Sequence, residues 1–227
     1  LYLRIMIVFV NGHLGYGSPL GGRAYWSRSF VEGALRYFND TDEPYFTDVQ
    51  YDALSVALKR RADGNLYALE HPAIFQPYIL ESDGSQLSLP LSDHLQHGTI
   101  HQYPLQHAAP PPAHSPARQP VRFVSHSMGG AFACGMMDFL ADRGIPIDAA
   151  IFINIFQPEG CTVPPGLGIR TVDYRITNDP VLNLLDWPRR RGDIPYADIR
   201  LRERADAPLN FRHKLPISSR MDFWSKL

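Results

Sequence analysis

The chain has 227 residues, with 22 Lys and Arg against 23 Asp and Glu, a formal net charge of −1 at neutral pH. That length suits one α/β domain with a sizeable core, and the near-zero charge gives no sign of a nucleic-acid partner or of a strongly anionic surface. With 44% apolar and 20% charged residues and no apolar run of membrane-spanning length, the composition is that of an ordinary globular chain.

Leu1 stands almost directly on an apolar run, which predicts a segment of a longer chain or a trimmed product. Leu1–Val10 is too short and too β-branched for the core of a signal peptide. Ile5–Val10 is continuously apolar and ends at Asn11–Gly12, the pattern of a parallel strand buried on both faces. The glycine-rich loop that follows, Asn11–Pro19, allows the backbone to approach a ligand closely. Gly22–Phe38 carries Tyr25, Trp26, Phe30, Ala34 and Phe38 at roughly helical spacing, an aromatic stripe expected to pack in the core. A turn over Asn39–Pro44 leads to a predicted strand at Tyr45–Tyr51 and a helix over about Leu58–Leu69.

Residues 71–120 have poor periodicity, several prolines and the histidines His94, His97, His101, His107 and His114. A stretch of that length without regular pattern predicts a cover over the site or plain disorder. The histidine spacings match no tight metal site, so neither metal nor cofactor is expected there.

Val121–Ser125 reads as a strand and Gly130–Leu140 as a helix with small residues near its start. Asp142–Arg143–Gly144 closes that helix. Ala149–Phe156 and Arg170–Thr177 read as further buried strands, separated by the Pro- and Gly-rich loop 157–168. Leu182–Trp187 begins a short apolar piece, Arg189–Arg190–Arg191 is a solvated basic cluster, and Ile217–Leu227 is a candidate last helix. Of the two cysteines, Cys134 lies on the helix after the central strand and is expected to be a buried thiol. Cys161 lies in a loop, and nothing in the spacing supports a disulfide. There is no internal repeat, and residues 1–227 read as a single domain.

The central stretch is Val121–Gly130, a strand, a tight turn with Ser127 at its tip, and a helix. This is the context of a nucleophile elbow, G-x-S-x-G, with Gly129 in the second glycine position and Ser125 replacing the first. A serine hydroxyl needs a base, and the base needs an orienting carboxylate. On this scaffold the three follow in the order Ser, Asp or Glu, His. Only His213 lies beyond Ser127, because His126 is adjacent to the nucleophile and should point away from it. Asp179 directly follows the Arg170–Thr177 strand, which places it at the sheet edge where such acids sit. Asp173 is inside that strand, and Asp193 and Asp198 lie in a less defined region. The loop after the first strand is expected to supply one oxyanion-hole N–H from His13, with Leu14 as the alternative, and Met128 the other.

Through Val–Asn–Gly–His–Leu–Gly (residues 10–15), Ser–His–Ser–Met–Gly–Gly (125–130) and Asn–Asp–Pro–Val (178–181), the chain resembles the α/β-hydrolase lipase/esterase superfamily. More narrowly it resembles the lipase-like C-terminal domains of bacterial RHS-repeat, polymorphic-toxin-type proteins. Residues 5–40, 121–186 and 192–227 carry the likeness, including Phe–Arg–His–Lys–Leu–Pro–Ile at 211–217 and the Asp–Phe–Trp at 222–224; residues 71–120 depart from it. The resemblance implies an α/β-hydrolase fold, with a mostly parallel central sheet and helices on both faces. It also implies a Ser127–Asp179–His213 triad and a secreted or cell-surface setting. The expected function is hydrolysis of a carboxylic ester, small or lipid-like, with transient lipid-surface contact and without cofactor, metal or nucleic acid. An acyltransferase or thioesterase on the same residues, or a non-catalytic interaction module of a larger protein, are the alternatives.

Overall fold

The computed structural model describes residues 6–14, 20–52, 54–72, 74, 75, 120–164, 166–183 and 192–227. The apolar runs form one six-stranded, all-parallel sheet. Its strands are β1 (Met6–Val10), β2 (Tyr45–Phe46), β3 (Val121–His126), β4 (Ile147–Ile153), β5 (Arg170–Ile176) and β6 (Ile199–Glu203), in the order β2-β1-β3-β4-β5-β6. Side chains alternate across it. Val8, Val10, Phe123, Ala150 and Phe152 face one apolar layer, and Ile7, Phe9, Val124, Ile151, Val172 and Tyr174 face the other. Burial on both faces is what permits the unbroken apolar sequence of the central strands.

Helices cover both faces. Helix α1 (Arg28–Tyr37) packs on the second layer, while α2 (Ala57–Glu70) and α3 (Gly129–Ala141) pack on the first. The α2–α3 crossing is close enough to need glycine. A Cβ at Gly64 would lie 2.0 Å from the Phe132 carbonyl oxygen, and one at Gly135 would lie 1.8 Å from that of Arg61. Arg61 adds a bidentate bond to Asp138 at 2.6 and 2.7 Å. Two short helices, α4 (Pro180–Asn183) and α5 (Leu209–Arg212), follow β5 and β6. Among the described residues no helix is long and apolar enough to cross a membrane.

Several elements differ from the sequence reading. Gly22–Phe38 is not one helix. A 3-10 turn (Gly22–Tyr25) precedes α1, which starts where Ser27 Oγ caps the Phe30 N–H at 3.2 Å. The Tyr45–Tyr51 strand stops at Phe46 because the Asn11 side chain takes over the pairing, accepting from Val49 N–H and donating to the Val49 carbonyl. β4 stops at Ile153, where Asn154 turns left-handed with φ 46°. The C-terminal residues form two 3-10 turns, Leu215–Ile217 and Trp224–Lys226, instead of a helix. Between them Ser218 Oγ donates to the Leu215 carbonyl and accepts from the Arg220 N–H. Trp224 docks on α1, donating to the Phe30 carbonyl at 2.7 Å. Strand β6 has no counterpart in the sequence reading. Of the predicted cover at 71–120, residues 73 and 76–119, which include His94, His97, His101, His107 and His114, lie outside the described residues, as does the Arg189–Arg191 cluster in 184–191.

Chain order reverses between β1 and β3: after β1 the path goes out to β2 at the edge, then returns past β1 to β3. Ligands of open parallel sheets bind beyond the carboxyl ends of the strands at such a switch point. The β1–β3 register pairs Val10 with Ser125, so the loop at Gly12 emerges beside the turn at Ser127.

Candidate active site

Ser127 follows β3 directly and has φ 54°. A left-handed conformation is uncommon for a residue with a Cβ and marks a turn held by its surroundings. Two backbone hydrogen bonds hold it: Ser127 N–H donates to the Ile153 carbonyl at 3.0 Å, and its own carbonyl accepts from Phe156 N–H at 3.2 Å. Crowding explains the small neighbours. A Cβ at Gly129 would lie 2.3 Å from the Asn11 carbonyl oxygen. Ser125, in the place of the usual first glycine, is buried and turns its Oγ to the Ile151 carbonyl at 3.4 Å.

Asp179 lies just past β5 and is fully buried. Its Oδ1 accepts from Val181 N–H at 2.9 Å, and its Oδ2 lies 2.6 Å from His213 Nδ1. With the carboxylate on Nδ1, the remaining nitrogen, Nε2, holds the lone pair of the neutral ring. The other carboxylates named from sequence are engaged elsewhere. Asp173 and Asp193 both bind Arg202 at 2.5 Å, and Asp198 accepts from Thr171 N–H at 2.7 Å.

His213 follows the four-residue α5, and its position is set by its backbone. Its carbonyl accepts from Asn154 Nδ2 at 2.8 Å and lies 2.9 Å from His126 Nε2. The His126 and His213 rings are 4.7 Å apart. The His126 ring is buried, and its Nδ1 meets Tyr25 Oη at 2.6 Å. Burial, with the neighbouring His213 adding to it, presses the His126 pKa well below the usual imidazole value. Among the described residues no hydrogen bond joins Ser127 Oγ to His213. In substrate-free sites this contact is often long and tightens on binding.

Gly12 touches the turn directly. A Cβ there would lie 2.8 Å from Ser127 Cβ, 3.1 Å from the His126 carbonyl oxygen and 2.5 Å from Tyr25 Oη. The next residue, His13, is anchored by Nδ1 on the Tyr51 carbonyl at 2.8 Å. The alternative donor, Leu14, accepts at its carbonyl from Gln50 Nε2 at 3.1 Å. Met128 caps α3. Among the described residues, neither the His13 nor the Met128 N–H is engaged by a backbone carbonyl.

Two residues at the site escape a sequence reading. Tyr25 belongs to the aromatic stripe of 22–38, and nothing local signals its contact with a residue 101 positions away. Asn154 carries a signal, a lone amide inside the apolar run Ile151–Phe156. Both cysteines are free and buried, and among the described residues no three His, Cys, Asp or Glu side chains cluster as metal ligands would. A cavity of about 410 Å³ lies between the start of α2 and the 157–162 loop, and Ser127, Asp179 and His213 do not line it. No protein-family model matches the chain, and no curated protein matches it significantly.

Proposed function

We propose that the chain is a serine hydrolase of the α/β-hydrolase type that cleaves carboxylic esters. The observation that carries this reading is the 2.6 Å Asp179–His213 contact, formed at the sheet edge where Ser127 sits on its left-handed turn. Ser127 Oγ attacks the ester carbonyl carbon while His213 Nε2 takes its proton. Asp179 fixes the imidazole tautomer and stabilises the imidazolium that forms. The oxyanion of the tetrahedral intermediate is held by the N–H groups of His13 and Met128, each worth about 3 kcal/mol in a site of this kind. The alkoxide leaves with the proton from His213. Water, activated by the same base, then attacks the acyl-Ser127 ester and releases the acid. Each step is proton transfer and acyl transfer, and the side chains named supply all of it.

A lipid-like acyl group rests on the resemblance to lipase-like domains in the three segments that carry the motifs. The test is turnover of esters of graded acyl length, with and without a lipid–water interface, by the wild type and Ser127→Ala. Turnover abolished by the substitution and rising with acyl length supports the reading. A folded wild type that hydrolyses none of the series refutes it.

A further inference from the structure

We propose that His126 is a positioning residue for this reaction: its imidazole ties the backbone of His213 to the loop carrying the His13 N–H, through Tyr25. The proposal rests on the hydrolase reading above, in which His213 is the base.

His126 lies on the same strand face as Val124 and is fully buried. A buried imidazole needs partners for both nitrogens, and both partners of His126 belong to the site. The His213 carbonyl can only accept, so His126 Nε2 carries the hydrogen and donates at 2.9 Å. Its Nδ1 is then a bare acceptor, and Tyr25 O–H donates to it at 2.6 Å. Tyr25 Oη also stands against Gly12, one residue before His13, where a Cβ would lie only 2.5 Å from it. The donors run in one direction, Tyr25 to His126 to His213, with the Tyr25 hydroxyl packed on the loop at Gly12.

The same carbonyl receives Asn154 Nδ2, and Asn154 Oδ1 accepts from Ile176 N–H at 2.7 Å, at the end of the strand leading to Asp179. One carbonyl oxygen thus collects the strand before Ser127, the turn after β4 and the strand before Asp179. The four-residue helix before His213 is too short to hold a position by itself. Misplacing a reacting group by about 1 Å costs on the order of a hundredfold in rate, so these bonds set the distance that the base must keep.

Two substitutions separate the halves of the link. His126→Asn leaves an acceptor near the Nδ1 position for Tyr25, but nothing that reaches the His213 carbonyl. His126→Gln leaves a donor near the Nε2 position. With a soluble ester, His126→Asn should lower kcat by about a hundredfold, with KM within about threefold, and slow fluorophosphonate labelling of Ser127 in parallel. His126→Gln should recover at least a tenfold share of that loss. Melting curves report folding for both. Independently of activity, imidazole 15N spectra at neutral pH should show His126 protonated at Nε2 and bare at Nδ1.

Near-normal kcat in His126→Asn, equal losses in both variants that follow the folded fraction, or a protonated Nδ1 would overturn the inference while leaving Ser127 chemistry intact. A wild type inactive on every ester overturns the hydrolase reading and this inference with it.

Discussion

Gly12→Ala probes the close approach between the first loop and the Ser127 turn. The added methyl would stand 2.5 Å from Tyr25 Oη, 2.8 Å from Ser127 Cβ and 3.1 Å from the His126 carbonyl oxygen. None of the three neighbours yields freely. Tyr25 Oη is bonded to His126, Ser127 Cβ sits on a left-handed residue, and the carbonyl belongs to the end of β3. Overpacking a well-packed interior costs about 1–3 kcal/mol, and with two contacts below 3 Å the upper half of that range applies. At about 2–4 °C per kcal/mol for a domain of this size, the melting temperature should fall by roughly 5–10 °C. If the loop moves to make room, the His13 N–H leaves its place and ester kcat falls by about 10²–10³-fold. Both numbers come from one protein preparation, by scanning calorimetry and by initial rates on a soluble ester. A variant with wild-type melting temperature and wild-type kcat would refute the packing argument and the assignment of this loop.

At the α2–α3 crossing, Gly135→Ala should destabilise by about 3 kcal/mol, since its methyl meets a backbone carbonyl at 1.8 Å. Gly144→Ala, at φ 62° with open space around it, should cost only about 1 kcal/mol; equal urea midpoints for the two would contradict the crossing geometry. Burial lowers the Lys214 pKa from 10.5 to about 8, so between those values the unfolded chain binds more protons than the folded one, and this group makes stability rise with pH across that window. Lys214→Met should abolish that rise and stabilise the protein at neutral pH. The gain is on the order of 1 kcal/mol, because the ammonium is partly solvated and lies over the Tyr25 ring at 4.5 Å; an unchanged slope of stability between pH 8 and 10 would count against it. Asp179→Asn should lower kcat by up to about 10⁴-fold, because an amide facing His213 Nδ1 favours the wrong tautomer; a loss below about tenfold would remove Asp179 from the role of orienting acid.

The parts legible in the sequence are those governed by local pattern. Buried parallel strands announce themselves as unbroken apolar runs, which is why β1, β3, β4 and β5 stand close to where the residues place them. Asp179 and His213, chosen by strand-end position and by chain order, meet at 2.6 Å. What the sequence hides is decided by distant partners. β6 (Ile–Arg–Leu–Arg–Glu) alternates charge with apolar residues at a sheet edge, and its arginines gain meaning only beside Asp173 and Asp193. β2 is cut short by a side chain 36 positions away, with Asn11 Oδ1 accepting from Thr47 Oγ1 at 2.9 Å. Tyr25 looks like one more ring in an aromatic stripe until its hydroxyl is seen on His126. In each case tertiary hydrogen bonding overrides a period or a propensity that was correct on its own terms.

The central claim is that Ser127 is a nucleophile activated by His213. The most direct measurement is covalent labelling of the folded protein with a fluorophosphonate, with the modified peptide identified by mass spectrometry. The account predicts one adduct, on Ser127, lost in Ser127→Ala and slowed in Asp179→Asn. A folded chain that takes no label, or one labelled elsewhere while Ser127→Ala keeps full ester turnover, would contradict it.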